Sequence, residues 1–146
     1  MSLKERVQDE MKSAMKNKNT PRLECLRMVK GALLVKEKES ADAVTDEMSI
    51  AVLRAEVKKR QQSLEIFRDL GKTAEAAATE NEIAIINEFL PRQLSEADLE
   101  AKVRAHLAAH PELNHAGKLT GAMKKELGDL ADGRMLNEVC KRVVGG

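Results

Sequence analysis

The sequence has no tryptophan and no tyrosine, and its only aromatic residues are Phe67 and Phe89. Strands draw on aromatic and β-branched residues to cover a pleated surface, so this scarcity argues against a sheet and leaves an aliphatic core. Two cysteines, Cys25 and Cys140, are too few for a disulfide framework and too far apart for a CxxC redox pair. Both fall among helical apolar positions and read as small buried residues. No apolar run approaches membrane-spanning length, and Met1-Ser2-Leu3-Lys4-Glu5-Arg6 has no apolar stretch behind its charges. Neither a membrane span nor a signal segment is expected, and the default location is cytoplasmic.

What is present suits amphipathic helices. Of 146 residues, 34% are charged, and aliphatic side chains with cysteine and phenylalanine supply the whole 42% hydrophobic fraction. That length fits one domain or two small ones, each with a modest core. The net charge of +1 is unevenly spread. Seven Lys or Arg stand against Glu24 alone between Lys12 and Lys36, and seven Asp or Glu stand against Arg92 alone between Thr73 and Glu100. The pattern predicts a dipolar molecule, either because oppositely charged helix faces attract each other or because one surface binds phosphate.

The chain is organised around Phe89-Leu90-Pro91-Arg92-Gln93-Leu94-Ser95. Pro91 has no amide donor and pushes Leu90 out of helical geometry, so a helix arriving through Ile83 and Ile86 should stop near Leu90. Ser95 then offers a cap to a new helix with Glu96 and Asp98 in its first turn. Before the junction, Leu3, Val7, Met11 and Ala14 define a first helix to about Asn17. Thr20 is expected to cap a second, with Pro21 at its first position and Leu23, Leu26, Val29 and Leu33 inward. Thr45 caps a third, which runs to a left-handed stop at Gly71 along a seam of Ile50, Leu53, Val57, Leu64 and Phe67. Arg60 is the one charged residue in that seam and reads as an edge side chain with its head in water. A fourth helix is expected to be capped by Thr73 and to carry Ala76, Ile83, Ile86 and Leu90 on one face.

After Ser95 the segments shorten. Leu99, Val103 and Leu107 form a helix that ends by His110, since Pro111 follows. Leu119, Met123 and Leu127 form another, stopped by Gly128. Leu136, Val139, Cys140 and Val143 form a third behind Asp132 and Gly133. The expected fold is all-α: a four-helix N-terminal domain with long helices over residues 1–92, then a small three-helix bundle tail over 95–146.

Catalytic motifs are not found. Gly117-Lys118-Leu119-Thr120 has the ending of a phosphate-binding P-loop, but position 112 is Glu where that motif needs glycine, and no strand precedes it. His106 and His110 are spaced to share a helix face, yet Pro111 turns the chain away and no acid or cysteine completes a ligand set, so no metal and no cofactor are expected. There is no Gly-x-Ser-x-Gly nucleophile turn. The methionines Met11, Met48, Met123 and Met135 fall at or beside apolar stripes and read as core filler.

Five stretches carry a resemblance through the whole chain: Met1–Arg6, Leu26-Arg27-Met28-Val29-Lys30, Lys59 to Phe67-Arg68, Phe89 to Ser95, and Gly117-Lys118 to Val139. In this order they closely resemble the YqeY-like family. The C-terminal half also resembles the tail domain of the B subunit of the tRNA-dependent Asp/Glu amidotransferase, whose pattern falls here on Gly117, Lys118, Gly121, Ala131 and Asn137. The resemblance implies a helical domain with a three-helix tail, and in the amidotransferase that tail helps to hold tRNA. Where the tail family often has Lys-Gly-Lys-Ala, this chain has Gly128-Asp129-Leu130-Ala131. An acid thus replaces a cation beside the phosphate contact the resemblance implies.

These readings lead to an accessory module of translation that binds the tRNA backbone beside an amidotransferase or an aminoacyl-tRNA synthetase. With almost no aromatics it cannot stack unpaired bases in the manner of single-strand binders, so it must read a folded backbone through cations. The candidates are Lys118, Lys124, Lys125, Arg134 and Lys141 in the tail and Lys12, Lys16, Lys18, Arg22 and Lys30 in the first domain, with Pro91 marking the junction. The alternative is a protein-interaction adaptor that makes no RNA contact. An autonomous glutamine-dependent carbon-nitrogen ligase is a third reading and the weakest, because no nucleophile and base are paired and that activity belongs to the larger amidotransferase. No small-molecule substrate is indicated.

Overall fold

The computed structural model describes residues 2–145 and, over those residues, contains helices and turns but no strand. Packing divides it into two compact units, the first ending at Leu90 and the second beginning at Pro91.

Four helices build the first unit: α1 (Leu3–Lys16), α2 (Thr20–Glu39), α3 (Asp46–Asp69) and α4 (Thr73–Asn87). Ser2 caps α1 through its hydroxyl, and Thr45 caps α3 above an acidic first turn of Asp46 and Glu47. Two expected caps are corrected. Asn19, not Thr20, accepts the Arg22 amide and caps α2, so Thr20 lies inside the helix. Lys72 holds the cap position of α4 with no side-chain bond, and Thr73 is the first helical residue. The α3 stop at Gly71 is as expected: with φ of 68° it closes a Schellman motif in which Lys72 N–H bonds Phe67 C=O and Gly71 N–H bonds Arg68 C=O. Helix α4 ends at Asn87, three residues short of Leu90, and its last turn tightens through bonds from Phe89 N–H to Ile86 C=O and from Leu90 N–H to Asn87 C=O.

The core of this unit gathers Leu3, Val7, Leu26, Val29, Leu33, Leu53, Ile86 and Phe89, with Met11 and Ile50 at its edge. Phe89 is buried under the Arg6 guanidinium, 5.4 Å from the ring centre. Of the expected core fillers, Met11 packs at the edge of this core, and Met123 lies in the core of the second unit with Met135 packed against it; Met15 and Met28, which fall outside that set, are exposed.

The second unit is a three-helix bundle: α5 (Glu96–Ala109), α6 (Ala116–Leu127) and α7 (Gly133–Val143). One-turn 3₁₀ segments at Pro111–Leu113 and Gly128–Leu130 link them. Ser95 caps α5 by accepting the Asp98 amide, and Asp132 caps α7 by accepting that of Met135. Leu99, Val103, Leu119, Met123, Leu136, Val139 and Cys140 form the core. The segment after Pro91 belongs to this bundle because Leu94 N–H donates to Leu130 C=O at 2.8 Å and the Gln93 amide donates to Asp129 C=O at 2.9 Å. Across the described residues no helix is long and apolar enough to cross a membrane.

Candidate nucleic-acid interface

Helix α6 starts under His115, whose Nδ1 accepts the Gly117 amide at 3.2 Å. The imidazole lies so close that a Cβ on Gly117 would sit 3.3 Å from its Cε1, so glycine here serves the cap. Leu119, Thr120 and Met123 turn inward, and the Thr120 hydroxyl returns to Ala116 C=O. The outward face is Lys118, Gly121, Lys124 and Lys125, all exposed and spread over about 10 Å of helix axis. None of these three lysines has an ion pair among the described residues.

The short turn after α6 puts its end beside the start of α7, so Lys124 and Lys125 share one end of the bundle with Arg134. Arg134 is 83% exposed and, among the described residues, pairs with Glu138 alone, at 3.6 Å. Lys141 belongs with Lys118 toward the opposite end. Lys141 makes no ion pair among the described residues, while its neighbour Arg142 is held by Glu100 at 2.6 Å and Glu96 at 3.1 Å. The Arg142 hydrogen bond holds the Glu100 carboxyl below its usual range. Of the family-motif positions, Asn137 is exposed and Ala131 packs at the edge of the core.

This face works against its own helices. Cations are unfavourable near the positive end of a helix dipole, yet Lys118 lies in the first turn of α6, which has no acid in it or at its cap, and Arg134 in that of α7, where the capping Asp132 is the acid present. Helices α3 and α5 open on Asp and Glu instead. Gly121 costs the helix about 1 kcal/mol relative to alanine. Its backbone is helical and a Cβ would meet nothing within 4 Å, so neither conformation nor packing requires glycine there. A bare, cationic strip of backbone is the result.

In the first unit Lys12, Lys16 and Lys18 are exposed and carry no ion pair among the described residues, and Lys30 is half-buried. Lys18 has φ of 56° at the stop of α1, where Asn19 N–H bonds Ala14 C=O and Lys18 N–H bonds Met15 C=O. Glycine would fit that left-handed position without strain. Arg22 leaves the set of available cations, because its guanidinium is 19% exposed and donates to Glu88 at 2.7 Å and Glu10 at 2.9 Å. Those partners, chiefly Glu88, raise its pKa further.

Arg60 is also corrected. Its side chain is 12% exposed and bridges Glu56 at 3.1 Å to Glu82 of α4 at 3.2 Å, so its head is out of water. Burial of Cys25 nearby, aided by Glu82, pushes that thiol up to about 11. The three histidines have separate partners. His106 meets Glu126 at 2.9 Å and His110 meets Glu112 at 3.5 Å, with the two rings tilted at 39° and 4.6 Å apart, while His115 is a cap. No group of three or more His, Cys, Asp or Glu among the described residues is arranged to hold a metal. A cavity of about 170 Å³ is lined by Arg6, Asp9, Glu10, Glu88 and Phe89, which bring no nucleophile beside a base.

A family model described as Yqey-like protein matches residues 4–144. Comparison with curated proteins returns no match.

Proposed function

The chain belongs to the YqeY-like family, and from that premise we propose that it is an accessory, non-catalytic module of translation that holds the folded backbone of tRNA. The observation that carries this reading is the α6 face, where Lys118, Lys124 and Lys125 lack carboxylate partners and flank the bare backbone at Gly121. Phosphates bind such a face through charge, and the missing side chain at Gly121 lets a backbone approach closely. Lys12, Lys16 and Lys18 offer a second set of cations in the first unit. Resemblance to the amidotransferase tail supports tRNA as the nucleic acid, and an amidotransferase or aminoacyl-tRNA synthetase as the enzyme served.

The test is binding of bulk tRNA to the full chain, by fluorescence anisotropy over a series of salt concentrations. Affinity that falls linearly with salt on logarithmic axes is the expected result. No binding at low salt overturns the reading. A protein-interaction adaptor is then favoured, on the strength of Ile66 and the cap residue Leu70, which lie one turn apart at the end of α3 and are both exposed.

A further inference from the structure

Gly31 lies near the middle of α2, exposed, with helical backbone, and a Cβ there would meet nothing within 4 Å. As at Gly121, the fold does not require it, but its surroundings differ. Residues one and two turns to either side share its face: Glu24, Arg27 and Met28 before it, Leu34, Val35 and Lys38 after it. Met28 is 47% and Val35 55% exposed, and Leu34 is half-buried. Glu24, Arg27 and Lys38 make no ion pair among the described residues.

The order of these residues is complementary about Gly31. When two such helices cross antiparallel at Gly31, each position before the glycine comes level with the position equally far after it on the other copy, and side chains on the same flank meet. Met28 then packs beside Val35, the stem of Arg27 lies along Leu34, and Glu24 reaches Lys38 near the centre line, with every contact occurring twice. A parallel crossing would instead set Glu24 against Glu24 and Lys38 against Lys38. Two-fold contacts of this kind use one patch on both partners, and glycine at the crossing lets the axes approach to the short end of the usual 8–10 Å, or about that. We infer that the exposed face of α2 is a docking surface for a second copy of this chain, packed antiparallel across Gly31. The charge complementarity of Glu24 with Lys38 identifies the occupant.

Sedimentation equilibrium of the full chain, from micromolar to millimolar concentration, tests this. A reversible dimer is expected. Lys38→Glu sets acid against acid at both ends and weakens the dimer about tenfold, since two exposed pairs are lost and two repulsions gained. Adding Glu24→Lys reverses both charges, restores the complement and recovers the affinity. Gly31→Leu fills the crossing point and abolishes the dimer, while helical circular dichroism is kept because nothing lies within 4 Å of the new Cβ. A chain that stays monomeric throughout overturns the proposal and leaves the face to a different partner. A dimer indifferent to Lys38→Glu and Gly31→Leu, or one that the double reversal fails to recover, also overturns it.

Discussion

Arg60 of α3 reaches Glu82 of α4 across the helical hairpin, Nε to Oε2 at 3.2 Å, while its Nη1 holds both the carboxylate and the carbonyl of Glu56 on its own helix. One side chain therefore fixes the register of α3 on α4 and satisfies two carboxylates that are partly out of water. Arg60→Met removes that bridge and leaves both acids without it. A loss of about 2 kcal/mol in urea unfolding is expected, because the Glu82 carboxylate loses its partner and Glu56 keeps only Lys59. Glu82→Gln in the Arg60→Met background should recover part of the loss. If Arg60→Met unfolds like the parent, the bridge does not stabilise the hairpin.

The same cluster sets an acid limit. Burial pushes the Glu56 carboxyl up, but hydrogen bonds from Lys59 and Arg60 outweigh burial and leave it below its ordinary value. A carboxyl depressed in the folded state contributes stability that is fully present above its unfolded pKa of about 4.3, and that is lost as pH falls through the lower folded value. Thermal unfolding between neutral pH and pH 3 should show this acid loss in the parent and a shallower one in Glu56→Gln.

Helix caps give paired substitutions with opposite expectations. Asn19→Ala removes the oxygen that accepts the Arg22 amide and should cost about 1 kcal/mol, whereas Thr20→Ala, inside the helix, should be near neutral. Ser95→Ala should likewise cost about 1 kcal/mol by releasing the Asp98 amide. Chemical denaturation measures all three, and a larger effect at Thr20 than at Asn19 would move the start of α2.

These caps mark where the sequence is readable. Ser95 precedes an apolar period with no competing side chain beside it, so local pattern alone locates it, and Thr45 is legible because Asp46 and Glu47 behind it suit an acidic first turn. Asn19 and Thr20 are both good caps, and only backbone geometry separates them. Long-range partners leave no local signal at all. Arg22 looks like any cation in a basic stretch until the fold brings Glu10 and Glu88 to it, and Arg60 looks like an edge residue until α4 lays Glu82 beside it. The α6 face was legible for the converse reason: its lysines lie on one short helix, and what the fold adds is that no acid reaches them.

Lys18 separates stability from binding. Lys18→Gly relieves a left-handed lysine at the α1 stop and should raise stability by about 1 kcal/mol. If Lys18 contacts phosphate, the same change weakens tRNA binding. A variant that is more stable and binds as well as the parent would remove Lys18 from the interface.

The α6 face makes the sharpest demand on the tRNA reading. Each lost phosphate contact should lower affinity for all tRNAs about equally and flatten the logarithmic salt dependence by about 0.9, because one fewer counterion is released. Lys118→Ala and the pair Lys124→Ala with Lys125→Ala should both behave this way, without loss of fold, since none of the three holds an ion pair or a core position. Gly121→Leu keeps every charge and improves helix propensity, so a drop in affinity there, at unchanged salt slope, reports the closeness of approach alone. Asp129→Lys should raise affinity by supplying the cation that the tail family usually carries at that turn. Its backbone carbonyl, which receives the Gln93 amide, is untouched by the change. Binding that ignores all four changes would exclude this face from tRNA recognition, because charge and shape would both have been altered where contact is claimed.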